Sequence, residues 1–309
     1  IYITKMYQLQ VVEGGSPVIT AIDTITTTET IPAARGDILD RNGAVLVSSE
    51  PSYDIKLSRS VLIDREDSND ILLALTAAAD EKNVRYTDTF PITKTAPFEY
   101  LKDMTDTQKS YLSQYLEYFG LEEDISASDL FVWLKDHYGV DYSIPIEDAR
   151  IIIGLRYELE IRVVIGMDEY VFAENVSPDF VSVLEEMNLP GVSVALSTTR
   201  VYNTDYGAHL LGYIGQMNAE EYEIYSEKGY SMNADVGKTG VEQAFEEYLH
   251  GEDGLQRVTR SADTGAIVDT EVISEASPGQ NVYLSIDLGI QQTAERSLEE
   301  NISAMNNAR

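Results

Sequence analysis

Two short stretches carry the residue types of acyl-transfer chemistry: Ser231-Met-Asn233 and Lys238-Thr239-Gly240. Serine acyltransferases combine Ser-x-x-Lys, which supplies nucleophile and base, with Ser-x-Asn and a Lys-Thr-Gly strand beside the cleft. Here no serine is followed three residues later by lysine, so the nucleophile and its base are absent. Lys238-Thr239-Gly240 also reads as the opening of a helix. Thr239 falls at the N-cap, with Glu242 placed to complete a capping box, and Asn233-Ala-Asp235 before it reads as a loop rather than a strand. Neither motif is read as catalytic. A self-sufficient serine hydrolase using Ser231 and Lys238 stands as the alternative. The three histidines, His137, His209 and His250, form no His-Glu-x-x-His pair. Asp/Glu pairs carry little meaning in so acidic a chain. Gly237-x-x-Gly240 lacks the full phosphate-loop spacing, and Asp64 to Asp70 lacks the glycine and spacing of a calcium loop. The sequence therefore implies no metal and no cofactor. An extracellular module binding a glycan or a cation is the other alternative.

The 309 residues include 53 acidic and 22 basic side chains, a formal net charge of −31. Such a surface repels nucleic acid and anionic headgroups, and no basic cluster offsets it. Hydrophobic residues make up 43%, enough for real cores in about two domains. Cysteine is absent, which excludes disulfides and thiolate chemistry. No apolar run is long enough to span a bilayer, and no signal peptide is visible at Ile1-Tyr2-Ile3.

The elements around these residues begin with Ile31 to Leu46. Asn42-Gly43 is a strong hairpin signal, and a two-residue turn there would set Leu39 against Leu46 and Ile38 against Val47. Arg35, Asp37, Asp40 and Arg41 flank an apolar ribbon, where a charge needs a partner. Ile1 to Val12 and Val18 to Thr30 read as extended, and Tyr53 to Leu57 as a further strand. From Ile71 to Met187 the pattern turns helical, over Ile71 to Glu81, Glu99 to Phe119, a segment capped by Ser126, and a longer helix from Pro145. Trp133 and the tyrosines at helical spacing read as core. The β pattern returns at Gly191 to Tyr202. Short helices follow over Asp205 to Ile214 and Ala219 to Ser226, then a helix from Thr239 to Leu249. Strands cover Leu255 to Arg260, Ala266 to Ile273 and Val282 to Ile286, with a hairpin at Thr264-Gly265. Leu288 to the C-terminus reads as a last helix with Ile290, Ala294 and Leu298 on one face.

Arg35-Gly36 followed by Asp40-Arg41-Asn42-Gly43 resembles the first motif of the non-catalytic, membrane-proximal region of class B penicillin-binding proteins. Arg200-Val-Tyr202 with His209 and Gly212-Tyr213 resembles the second. Gly237, Gly240 and Glu242, then Gly251 and Gly254, resemble the third, and Pro278-Gly279 with Val282 to Asp287 resembles the lead into a transpeptidase domain. The family's proline soon after the tyrosine of the second motif is replaced here by Asn203-Thr204-Asp205.

The resemblance implies an α+β fold: a strand-rich pedestal, or dimerisation domain, over 1–60 and 190–287, an inserted helical lobe over 61–189, and a linker helix over 288–309 leading to a transpeptidase domain. It implies an extracytoplasmic position below which an upstream helix anchors the protein, with this chain an excised fragment. Partners would be cell-wall synthesis proteins such as a polytopic glycan polymerase, and the sequence does not choose between monomer and homodimer. If the motifs pack together, at least one of Arg35 and Arg41 reaches Glu242 or a neighbouring carboxylate out of water.

Overall fold

The computed structural model describes residues 23–166, 170–230, 234–262 and 264–307. The expected N-terminal extended segments up to residue 22, and Ser231-Met-Asn233, lie outside the described residues.

The architecture is α+β. Its centre is the long strand β3 (Val45–Leu57), which pairs along eleven positions with β5 (Val192–Tyr202), from Val47 opposite Tyr202 to Leu57 opposite Val192. The other edge of β3 pairs first with β2 (Ile38–Leu39) and then with β4 (Tyr170–Val176). β10 (Val282–Tyr283) adds parallel to β2. A separate antiparallel sheet joins β1 (Thr24–Ile31), β8 (Gly254–Ser261) and β9 (Ile267–Ser274) in the order β1-β8-β9. A small pair joins β6 (Ile214–Gln216) to β7 (Asp235–Gly237). β1 and β3, from the first sixty residues, pair with β8 and β5 from later in the chain, so early and late segments share sheets.

The helices between β3 and β5 are α1 (Arg59–Leu62), α2 (Ser68–Glu81), α3 (Asp106–Tyr118), α4 (Ala127–His137), α5 (Ile146–Val164) and α6 (Pro178–Met187). Among the described residues the apolar side chains gather into three cores. One lies between the central sheet and α2, α5 and α6, and includes Ile55, Leu72, Leu155, Phe172 and Phe180. A second fills the helical lobe with Phe90, Tyr115, Leu130, Leu134, Ile152 and Tyr157, against which Trp133 packs partly buried. The third is small and includes Ile38, Leu46, Val47, Leu211, Val241 and Leu249.

Three readings need correction. Tyr170–Val176 is a strand inside the stretch read as helical. It pairs with β3, because a short apolar run shows no periodicity that separates strand from helix. α3 starts at Asp106 rather than Glu99, because Thr105 and Gln108 form a reciprocal capping box that fixes the first turn. Asp235–Gly237 is a strand, where no strand was expected before the helix at Thr239. Before it lie α7 (Ala208–Leu211) and α8 (Ala219–Ser226), and after it come α9 (Gly240–Ala244) and α10 (Glu246–Leu249), which divide the single helix expected there. The chain ends in α11 (Leu288–Asn307).

Candidate functional site: a buried charge clamp between three motifs

The hairpin turn is longer than two residues. Gly43 N–H donates to the Asp40 carbonyl at 3.1 Å and Asp40 N–H to the Ala44 carbonyl at 2.9 Å. Only Gly43 takes positive φ, +85°, and the register shifts so that Leu39 faces Val45, while Ile38 faces Val47. The cause is Asp40. Its carboxylate accepts from Asn42 N–H at 2.7 Å, Ala44 N–H at 2.9 Å and Leu288 N–H at 3.1 Å, a role that holds its pKa low, the Leu288 bond contributing most. Asp40 thus ties the first motif to the start of α11. Asn42 adds a bond from its side-chain amide to Asp287 at 2.9 Å. Arg41 is exposed and acts on Asp287, not on Glu242. Asp287 is held low first by Asn42 and least by Arg41.

Arg35 turns the other way, into the body. Its Nε donates to Glu242 Oε2 at 2.7 Å and its Nη2 to Glu246 Oε2 at 2.7 Å and to the Glu242 carbonyl at 3.1 Å; Nη1 reaches Glu246 Oε1 at 3.1 Å. Arg200, on β5, donates from Nε to Glu242 Oε1 at 2.8 Å and from Nη1 to Ser49 Oγ at 3.0 Å. The side chains of Arg35, Arg200, Glu242 and Glu246 are 9%, 3%, 0% and 3% exposed. Each oxygen of Glu242 is therefore held by a different arginine, and residues 207 apart in sequence meet out of water. Burial pulls the Arg35 pKa down, but the two carboxylates outweigh it and the net direction is up. Arg200 Nη2 is buried with no hydrogen-bond partner among the described residues.

This arrangement replaces the capping box expected at Thr239. Thr239 does sit at the N-cap of α9, but its side chain makes no capping bond, and both Glu242 oxygens face arginines instead. Glu246 was not anticipated. It accepts from Gly237 N–H at 2.7 Å and from Tyr230 Oη at 3.3 Å, and His250 Nδ1 lies 3.7 Å away. Its signal was present: Glu242 and Glu246 are four residues apart, a spacing that puts both on one helical face.

The glycines mark where backbones touch. A Cβ on Gly36 would lie 2.0 Å from the Gln280 carbonyl oxygen, and one on Gly212 (φ +79°) would lie 1.9 Å from that of Thr239. The first motif is thus in backbone contact with the C-terminal segment and the second motif with the third, and Gly36 N–H donates to the Leu249 carbonyl at 2.8 Å. Gly237 ends β7, Gly240 opens α9, Gly251 packs on Ala33 and Gly254 opens β8. Tyr202 ends β5, where burial first and then Glu242 raise its hydroxyl pKa. His209 is exposed on α7 beside Glu295, which accepts from Gly207 N–H at 2.8 Å. Asn203, where the family has proline nearby, donates its N–H to the Leu46 carbonyl at 2.8 Å. Lys238 is engaged in an ion pair with Glu221. Among the described residues no His/Cys/Asp/Glu group of three is arranged to hold a metal, and no helix is long and apolar enough to cross a membrane.

The Penicillin-binding Protein dimerisation domain family matches residues 30–284, and the chain belongs to that family. It is 34% identical over 110 residues to peptidoglycan D,D-transpeptidase MrdA of Acinetobacter baumannii, which is 35% of this chain and 16% of the relative. It is 31% identical over 122 residues to penicillin-binding protein 2B of Streptococcus pneumoniae, 38% of this chain and 18% of the relative. The matched stretch thus spans less than a fifth of those curated relatives. In fold it resembles the solved penicillin-binding protein 2B from Streptococcus pneumoniae strain 5204, with a TM-score of 0.51 and 23% identity over 92% of this chain and 45% of the other.

Proposed function

We propose that this chain is the non-catalytic pedestal of a class B penicillin-binding protein whose transpeptidase domain cross-links peptidoglycan. The observation that supports this reading best is the clamp. Its four charged groups are spent on one another, and a buried cluster of paired ions offers neither an open cleft nor an activated nucleophile. What such a cluster does supply is fixed geometry where three segments distant in sequence converge. In this reading 1–60 and 190–287 form the pedestal, 61–189 the inserted lobe and 288–309 the helix toward the transpeptidase domain. The motif residues named above serve contacts between motifs rather than chemistry. The pedestal stands on the outer face of the cell membrane, anchored by an upstream helix, and holds the catalytic domain at a set height and angle. It also contacts cell-wall synthesis proteins, a polytopic glycan polymerase among them, or a second copy of itself.

Intact-mass spectrometry after penicillin treatment tests the reading. The chain is expected to gain no mass, while a longer protein carrying the transpeptidase domain gains one acyl group that Glu242→Gln does not abolish. An acyl adduct on this chain that disappears in Ser231→Ala would overturn the pedestal in favour of a self-contained serine enzyme.

A further inference from the structure

A cavity of about 560 Å³ opens in the helical lobe, within the size range of small-ligand sites. It shares no lining residue with the clamp. Its floor holds Arg156, only 4% exposed. That guanidinium donates from Nε and Nη2 to Asn69 Oδ1 at 3.1 and 3.0 Å, and from Nη1 to the carbonyls of Leu62 and Ile63 at 3.3 and 3.4 Å. It makes no ion pair with a carboxylate among the described residues. Beside it Arg59 binds Glu160 Oε2 through Nε at 3.1 Å and Nη2 at 2.9 Å, with the Glu160 side chain 4% exposed. Two guanidiniums therefore share one buried carboxylate. Arg65, also on the wall, is matched by Asp67 at 2.8 Å. The inner cavity is left with one uncompensated positive charge in a chain of net charge −31. A buried unpaired charge is costly and is normally met by a partner.

The donors left over suit an oxyanion. A guanidinium has five N–H groups. The bonds of Arg156 leave one on Nη2, and those of Arg59 leave one on Nη2 and both on Nη1. The opposite wall is aromatic: Phe119 and Tyr118 line it, and the His137 ring stacks on Trp133 with centroids 4.7 Å apart. A dianion would exceed the single positive charge and would also face Glu160 and, at the rim, the exposed Asp64 and Glu66. We infer that this cavity binds a monoanionic carboxylate carried on an apolar or aromatic body, held by Arg59 and Arg156 against the Phe119–His137 wall. The ligand is either a small free acid or the C-terminal carboxylate of a peptide.

Trp133 is the one tryptophan in the chain and reports on this wall by fluorescence. The probes are 3-phenylpropionate, its uncharged amide, a short peptide ending in a free phenylalanine carboxylate, the same peptide amidated, and inorganic phosphate. Saturable change with the acids but not the amides is expected, and whichever acid binds tighter identifies the source. Charge variants separate binding from folding. Arg59→Gln removes the surplus charge and should weaken binding about tenfold or more, whereas Glu160→Gln increases the charge and should tighten it by a similar factor. The two opposite shifts are not produced by a residue that merely supports the fold. Circular dichroism checks that each variant is folded; if Glu160→Gln is not, Arg59→Lys, which keeps the charge and loses the fork, should weaken binding less than Arg59→Gln. No saturation with either acid up to about 20 mM, equal response to the amides, or tighter binding of phosphate would each overturn the assignment.

Discussion

The junction around Arg35 and the helical lobe solve the same problem with different means. Among the described residues the junction core has seven buried apolar residues against seventeen in the lobe. The lobe closes by dispersion and hydrophobic burial of aromatic and aliphatic side chains from helices near one another in sequence. Its own buried pair, Arg150 with Asp88 at 3.1 Å, ties the loop before α3 to α5 and also satisfies the carbonyls of Phe90 and Ile92. The junction gathers segments more than two hundred residues apart, has little apolar surface to bury, and instead brings backbones into contact at glycines and fixes their angle with four charges. A buried ion cluster contributes little net stability compared with well-packed apolar groups, but breaking it leaves a charge unpaired. The two regions therefore differ in how they fail.

The largest effect is expected at the junction. Glu242→Gln leaves Arg200 without a carboxylate and should cost roughly 3–5 kcal/mol in denaturant melts. Arg200→Met combined with Glu242→Gln should cost much less than the sum of the singles, because the two charges go together. Purely additive losses would mean that the charges act separately and that the junction fails in the same way as the lobe. Leu134→Ala, in the lobe core, should cost about 2–5 kcal/mol from cavity formation, and it should show no coupling with Glu242→Gln. Gly212→Ala should cost at least about 1–3 kcal/mol, since it adds a side chain at positive φ and drives a Cβ into the Thr239 carbonyl. A neutral result there would show that the second and third motifs part easily.

A smaller, pH-dependent term sharpens the same comparison. Burial lowers the His250 pKa below its usual 6.5, with Arg35 acting in the same direction and Glu246 and Asp253 against it. As pH falls below 6.5 the unfolded chain therefore takes up this proton before the folded one does. Stability is lost through that window, and the loss is complete once the folded imidazole is also protonated. His250→Phe keeps the ring stacked on Tyr230, where the centroids are 3.9 Å apart. It should flatten part of the slope of stability against pH below 6.5 and leave the part due to His137, whose pKa burial also lowers. An unchanged slope would remove His250 from the account of the junction.

Much of the fold was legible because it rests on local signals. Ser126, Pro145 and the Thr264-Gly265 turn sit where sequence places them, at the start of α4, before α5 and between β8 and β9. The ends of β5 and α8 also follow their periodicity and caps. What was not legible depended on side chains competing for one partner. Glu242 could serve Thr239 locally or an arginine at long range, and local spacing alone favours the cap. Two arginines converging on it decide otherwise, since a buried charge gains more from an opposite charge than from an N–H. Asp40 likewise lengthens the hairpin turn by accepting two backbone N–H groups, which moves the partner of Leu39 from Leu46 to Val45. Asp88, the partner of Arg150, lies 62 residues away with no periodic pattern around it.

The smallest effect is expected in α11, which has neither a core nor a clamp along most of its length. Its N-terminal part is pinned: Leu288 N–H reaches Asp40 at 3.1 Å, Asn42 reaches Asp287, and Glu295 accepts from Gly207 N–H. Beyond that, Ile290, Leu298, Ile302 and Met305 are 66%, 61%, 45% and 64% exposed, so the apolar stripe expected from Ile290, Ala294 and Leu298 faces solvent. A helix of this length without tertiary packing is marginal in water. Hydrogen exchange should therefore show protected amides at Leu288 and Ile290 and rapid exchange beyond Ser297. Truncation after Ser297 should change the stability of the body by less than about 0.5 kcal/mol. Strong protection through Asn306 would mean that the stripe is covered. Analytical ultracentrifugation would then distinguish the two causes, because protection that rises with protein concentration comes from a second copy and protection that does not comes from packing within one chain.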